Sequence, residues 1–225
     1  MSAQQTKTAA MRRTPQQERG RQRVDAILDA AAVVFAEVGY EAATTNAIAA
    51  RAHTSIGSLY QFFPDKLAIF QALDERYCEQ CYALSAEVFS PQKARLPLAT
   101  MIGELIDAFA GFYAQPGFRV VLTQNPTARF NPCEEDKSLK QEIVRLLAAL
   151  LSARNPKLPP EECDLLADVC RRIATTLLLA GVLGDEAYRQ QMIAQTKCVL
   201  VAYLEPHLEP KNTTSSACPD GIDRR

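Results

Sequence analysis

Residues 43 to 70 read ATTNAIAARAHTSIGSLYQFFPDKLAIF, and their punctuation decides the fold. A hydroxyl at Thr44 or Thr45 can accept an orphan backbone N–H at a helix start, and Ile48, Ala49 and Ala52 follow at the three-and-four spacing of a buried stripe. That helix ends near His53. Ser55 is placed to cap a second short helix, in which Ile56, Leu59 and Phe63 share one face at about 100° per residue. Pro64 ends it, and Asp65 caps a longer helix that begins at Lys66. Two short helices joined by a tight turn, then a long one, form the pattern of a helix-turn-helix DNA reader.

The face opposite the stripe supports that reading. With Ile56 at zero, Gly57, Gln61, Ser58 and Phe62 fall at about 100°, 140°, 200° and 240°, and Tyr60 flanks the stripe at about 40°. A merely solvated helix would carry Glu and Lys there. This one carries small hydrogen-bonding groups, an amide and an apolar ring, with no acid to repel phosphate. The Gln61 amide can pair bidentately with adenine. Lys66 stands at a helix N-terminus, where an ammonium and backbone N–H groups can together hold a phosphate.

Upstream, Thr14-Pro15-Gln16-Gln17 combines a capping Thr, a proline at the first helical position and a Gln placed as in a capping box. Val24, Ile27, Leu28, Ala31, Val34, Phe35 and Val38 then form an amphipathic stripe that Gly39 ends. The whole chain has a net charge of −1, yet residues 1 to 24 hold Lys7, Arg12, Arg13, Arg19, Arg21 and Arg23 against Glu18 alone, for +5. Screening limits remote carboxylates to a reach of about 10 Å, so this local basicity is what a DNA backbone would meet.

Downstream, Leu67, Phe70, Leu73 and Tyr77 extend the helix capped by Asp65 to about Phe89, making it a lever that leaves the first domain. Ser90-Pro91 stops it. Pro97 opens a helix with Leu98, Met101, Ile102, Leu105, Ile106, Phe109, Phe112 and Tyr113 inward. Gln115-Pro116-Gly117 reads as a turn before a short apolar segment, Phe118 to Thr123, and residues 124–137 read as an exposed loop. Helix resumes from Ser138 and breaks between Asn155 and Pro160. Two final helices, about Glu161 to Leu183 and Asp185 to Leu204, are apolar on more than one face. One face closes a core, and the surplus fits a second copy of the chain. The expected fold is all-α: a basic arm (1–13), a three-helix DNA-binding domain (14–64), a helical ligand-binding and dimerisation domain of five or six helices (65–205) and a tail (206–225).

Other functions lack their parts. The 225 residues include two histidines, one in the reading turn and one near the end, so His-based acid–base, nucleophilic or metal chemistry has no constellation, and no Gly-rich phosphate loop is present. No cofactor or metal is expected. No apolar run approaches the roughly 20 residues that span a bilayer, and the N-terminus has no secretory pattern, so a cytoplasmic location and no membrane contact are expected. Seven cysteines do not suggest a disulfide framework. Cys78 and Cys81 form a C-x-x-C pair that would suit a thiol-responsive regulator, and a helical ligand-binding protein without DNA recognition is the other competing reading.

Residues 15 to 70 resemble the N-terminal domain of the tetracycline-repressor (TetR) family of bacterial transcriptional regulators. The resemblance rests on Ile27-Leu28-Asp29-Ala30-Ala31 to Phe35, Gly39-Tyr40, Thr44-Thr45, Ile48-Ala49, Ala52, Ser55, Gly57-Ser58-Leu59-Tyr60, Phe62-Phe63 and Lys66-Leu67. It implies a homodimer joined through the last two helices, binding double-stranded DNA at a palindromic operator and released by a small-molecule effector. Ser55, Gly57, Ser58, Tyr60, Gln61 and Phe62 would meet the major groove or its backbone, and Thr45 and Lys66 would clamp phosphates. The effector pocket would lie between Pro97 and Leu183, with Phe109, Phe112, Tyr113, Leu122, Leu147, Cys170, Ile173 and Leu177 as lining and an apolar or aromatic ligand. His53 stands where the family usually has Gly, which implies either another turn geometry or a left-handed His at a cost of order 1 kcal/mol. Phe62 stands where the family often has Tyr or His.

Overall fold

The computed structural model describes residues 18–124 and 137–208, and these residues are all-α. The helices are α1 (Glu18–Ala42), α2 (Thr45–Arg51), α3 (Ile56–Phe62), α4 (Lys66–Val88), α5 (Leu98–Tyr113), α6 (Pro116–Gln124), α7 (Lys137–Arg154), α8 (Pro160–Leu183) and α9 (Glu186–Leu208), with a 3-10 turn at Pro91–Arg95. The helix start expected at Thr14 and most of the loop expected at 124–137 lie outside the described residues.

Helices α1, α2 and α3 close over Ile27, Phe35, Ile48, Leu59 and Phe63, all fully buried. Gly39 interrupts α1 with φ of 79°, a left-handed conformation that a side chain would strain. The stripe on α1 is buried as far as Phe35, but Val38, one residue before that break, is exposed. Phe35 and Tyr40 meet Phe70 of α4 at ring-centroid distances of 5.7 and 5.1 Å, so the first turns of the lever belong to this core.

The remaining helices pack around α4 and α5, with α8 and α9 as an antiparallel pair against α5 and α7. Here the sequence reading needs two corrections. Pro116 and Gly117 begin α6 instead of forming a turn, because proline loses nothing at a first helical position, where its missing N–H has no partner to find. Gly117 is needed for contact: a Cβ there would lie 2.5 Å from Ala32 Cβ of α1 and would overlap the Tyr77 hydroxyl of α4. Helix α9 continues to Leu208, past the expected tail boundary, with Pro206 in its last turn. Leu208 is buried, the His207 carbonyl accepts from Asn155 Nδ2 at 2.9 Å, and His207 Nδ1 lies 3.0 Å from Glu162 Oε1. Those contacts offset the one hydrogen bond that Pro206 removes.

Candidate DNA-reading face and effector cavity

The caps of the reading head form as the sequence requires. Thr44 caps α2 by accepting from Ala47 N at 3.1 Å, Ser55 caps α3 by accepting from Ser58 N at 3.1 Å, and Asp65 caps α4 by accepting from Ala68 N at 2.8 Å. His53 sits in the α2–α3 turn with φ of 50°, the only positive φ outside glycine among the described residues. The left-handed alternative is therefore the one adopted. Thr45 Oγ1 and Tyr60 Oη lie 3.1 Å apart, tying α2 to α3, and Arg23 Nη1 of α1 reaches Ser58 Oγ at 3.4 Å. Ser55, Gly57, Tyr60 and Gln61 are exposed together, Ser58 and Thr45 are half-buried, and the basic side chains of Arg19, Arg21 and Arg23 stand exposed on α1.

Two expected positions differ. Phe62 is only 6% exposed and belongs to the core, whereas Ile56 is 37% exposed on the reading face. The cause is the length of α3. Phe63 is not helical but a C-cap in extended conformation (φ −122°, ψ 120°), so the helical rotation stops one residue earlier than assumed. Both rings then drop into the core beside Leu59, and the N-terminal Ile56 turns out. Lys66 also differs: its Nζ donates to the carbonyls of Tyr40 at 2.6 Å and Glu41 at 3.0 Å and lies 4.4 Å from the Tyr40 ring centroid. The ammonium neutralises the carbonyl end of α1, which is where a cation belongs electrostatically.

In the second domain, α4, α5, α7, α8 and α9 enclose a narrow cavity of about 80 Å³. Of the expected lining residues, Phe109, Tyr113, Leu147 and Cys170 face it. Phe112 instead packs its ring on Phe118 with centroids 4.5 Å apart, and Leu122 borders a separate gap of about 10 Å³ with Tyr77 and Phe118. Ile173 and Leu177 are half-buried and do not line the cavity. The sequence reading missed Lys140, Arg171 and Thr175, which do line it. The only available signal was their place on α7 and α8, among apolar neighbours that point inward.

Burial pushes the Cys81 thiol up to about 11 and the Cys170 thiol up to about 12. Both are neutral thiols at ordinary pH, and the thiolate is the reactive form. On the outer side of the domain, Leu165 and Leu183 of α8 are exposed about five turns apart on one face, and Tyr188 and Val199 of α9 about three turns apart on another.

Residues 27–73 match the family model of bacterial regulatory proteins of the tetR family, and residues 97–204 match that of the tetracyclin repressor-like C-terminal domain. The chain belongs to the TetR family. It is a DNA-binding transcriptional regulator, with its helix-turn-helix at α2–α3 and a helical C-terminal domain. The curated proteins contain no match to its sequence. Among solved structures, a TetR-family regulator from Streptomyces coelicolor is 24% identical over 82% of this chain and 98% of its own, with a TM-score of 0.55. A putative TetR-family regulator from Mesorhizobium loti is 12% identical over 84% and 98%, with a TM-score of 0.65. FadR from Bacillus subtilis, in complex with stearoyl-CoA, is 18% identical over 80% and 96%, with a TM-score of 0.58. These TetR-family relatives share the fold. No described helix is long and apolar enough to cross a membrane.

Proposed function

We propose that this TetR-family protein is a homodimeric repressor that binds a palindromic operator in the cytoplasm and is released when a small ligand with an apolar or aromatic body enters the cavity. One observation carries the reading. Helix α4 runs unbroken from the Asp65 cap beside the reading helix to Cys81, and the residue that caps its far end is Phe89; both Cys81 and Phe89 line the cavity. A ligand that moves the cavity wall therefore acts on the same rigid element that begins at the reading head.

A single short helix reads only a few base pairs, and a two-fold pair reads a palindrome with both affinities combined. The exposed Leu165, Leu183, Tyr188 and Val199 supply an apolar surface on α8 and α9 for that second copy. In the groove, Gln61 makes the base contact, Ser55, Gly57, Ser58 and Tyr60 meet bases or backbone, and Thr45 orients Tyr60. Ile56 takes the apolar contact that Phe62, being buried, does not make. The names of two structural relatives, a fatty acid degradation regulator from Bacillus halodurans and the stearoyl-CoA complex from Bacillus subtilis, favour an acyl chain as the apolar body. Burial of Cys81 weighs against the thiol-responsive alternative.

Selection from a random duplex pool tests this reading. A palindromic site is expected, with Gln61→Ala flattening the preference at an adenine in each half. Recovery of an asymmetric site would contradict the dimeric reader. Recovery of nothing would favour a ligand-binding protein without DNA recognition.

A further inference from the structure

Helix α3 has the sequence IGSLYQF and carries no Lys or Arg, although a cation paired with O6 and N7 of guanine is the commonest specific contact that proteins make to DNA bases. A cation that reads guanine here has to come from another helix. The nearby cations of α2 and α4 are engaged: Arg51 Nη1 pairs with Glu37 at 2.8 Å, and Lys66 Nζ donates to the carbonyls of Tyr40 and Glu41. Arg19, Arg21 and Arg23 of α1 are exposed, and among the described residues Arg23 is the one of the three that reaches α3, with Nη1 3.4 Å from Ser58 Oγ.

Ser58 places that guanidinium beside Gln61. The two residues are three apart on α3, about 4.5 Å along the axis and about 60° in rotation, so both belong to the outward arc. Base pairs stack about 3.4 Å apart, and groups at Ser58 and Gln61 therefore face base pairs one or two steps apart. A bond of 3.4 Å to a neutral hydroxyl is long for N–H···O and leaves most of the guanidinium fork unspent. No carboxylate stands at helical spacing to capture it: the positions three and four residues away on α1 are Arg19, Gly20, Ala26 and Ile27, and neither α2 nor α3 contains Asp or Glu. A phosphate contact needs no fixed register with the reading helix. A base contact does, and the Ser58 hydroxyl supplies it.

We propose that Arg23 is a specificity-determining residue that reads a guanine of the operator half-site, one or two base pairs from the base that faces Gln61. Its fork donates to O6 and N7 while Ser58 holds it at α3. The inference rests on α3 being the reading helix and adds a second base reader, contributed by α1.

Random-duplex selection with full-length wild type, Arg23→Ala and Gln61→Ala, followed by titration of the recovered operator, tests it. Wild type should prefer guanine at one position of the half-site by about tenfold over each other base, and Arg23→Ala should lose that preference while keeping the one that depends on Gln61. Arg23 is exposed, so the melting temperature of the variant should be unchanged. Replacing the guanine with 7-deazaguanine, which removes N7 and keeps base pairing, should weaken wild-type binding about fivefold and leave Arg23→Ala unaffected. Arg23→Lys should keep guanine first by a narrower margin. If Arg23→Ala weakened every sequence alike and lowered the salt slope by about one unit per half-site, Arg23 would be a phosphate contact and the proposal would be overturned. Loss of both base preferences would overturn it as well, since Arg23 would then only brace α3. A palindrome with a Gln61-dependent adenine and no Arg23-dependent guanine would overturn this inference alone. An Arg23-dependent guanine in an asymmetric site would support it and contradict the dimeric reading, and recovery of no site would contradict both.

Discussion

Around α3, each helix start is fixed by a side chain that bonds a backbone N–H three residues on: Thr44 to Ala47, Ser55 to Ser58 and Asp65 to Ala68. Around the cavity domain the ends are held across long stretches of chain. Arg154 Nη1 donates to the Leu96 carbonyl 58 residues away, Asn155 Nδ2 to the His207 carbonyl 52 away, and His207 meets Glu162 across 45. The reading head is thus specified by local chemistry, and the domain that senses is specified by assembly. A regulator benefits from that division, since the reading surface needs one rigid geometry and the cavity needs walls that can move.

Substitution of a buried ring in each region should separate the two most strongly. Phe63→Ala removes a fully buried side chain from a closed core and should cost about 3–5 kcal/mol in denaturant unfolding. Phe109→Ala removes a half-buried ring beside an existing void and should cost about 1–2 kcal/mol, because little new cavity is made. Equal losses would remove the contrast in packing. Lys66→Ala should lower stability by about 1–2 kcal/mol through the unpaired carbonyls of Tyr40 and Glu41, with the salt dependence of DNA binding unchanged. A fall in the salt slope of about one unit per half-site would return Lys66 to the phosphate-clamping role. His53→Gly relieves a left-handed side chain but loosens the unfolded chain, so the net gain in melting experiments should be under about 1 kcal/mol. A marked loss would mean that the His53 side chain holds the turn by itself.

The same division explains what the sequence disclosed. Caps, the Gly39 break, the lever helix and the surplus apolar face of α8 and α9 are written in residues a few positions apart, and each was legible. Phe62 and Ile56 were misplaced because one step, treating Phe63 as helical, rotated the inferred face, and only the extended φ and ψ of Phe63 reveal it. The carbonyl partners of Lys66 were not legible because they lie 26 and 25 residues upstream. At the cavity, periodicity told which residues point inward but not which border empty space. Phe109 and Tyr113 line the void while Phe112, on the same inward side of α5, spends its ring on Phe118. Lys140 and Arg171 look like ordinary surface cations until α7 and α8 are side by side.

Filling the cavity should loosen the grip of the reading head. Ala174 lines the cavity, and Ala174→Phe would occupy it without any ligand. The operator recovered by selection, titrated with wild type and with this variant, gives the test. Binding by the variant should be about tenfold or more weaker with unchanged base preference, about 1.4 kcal/mol of coupling between the sites. An unchanged dissociation constant in a variant that folds normally would contradict it.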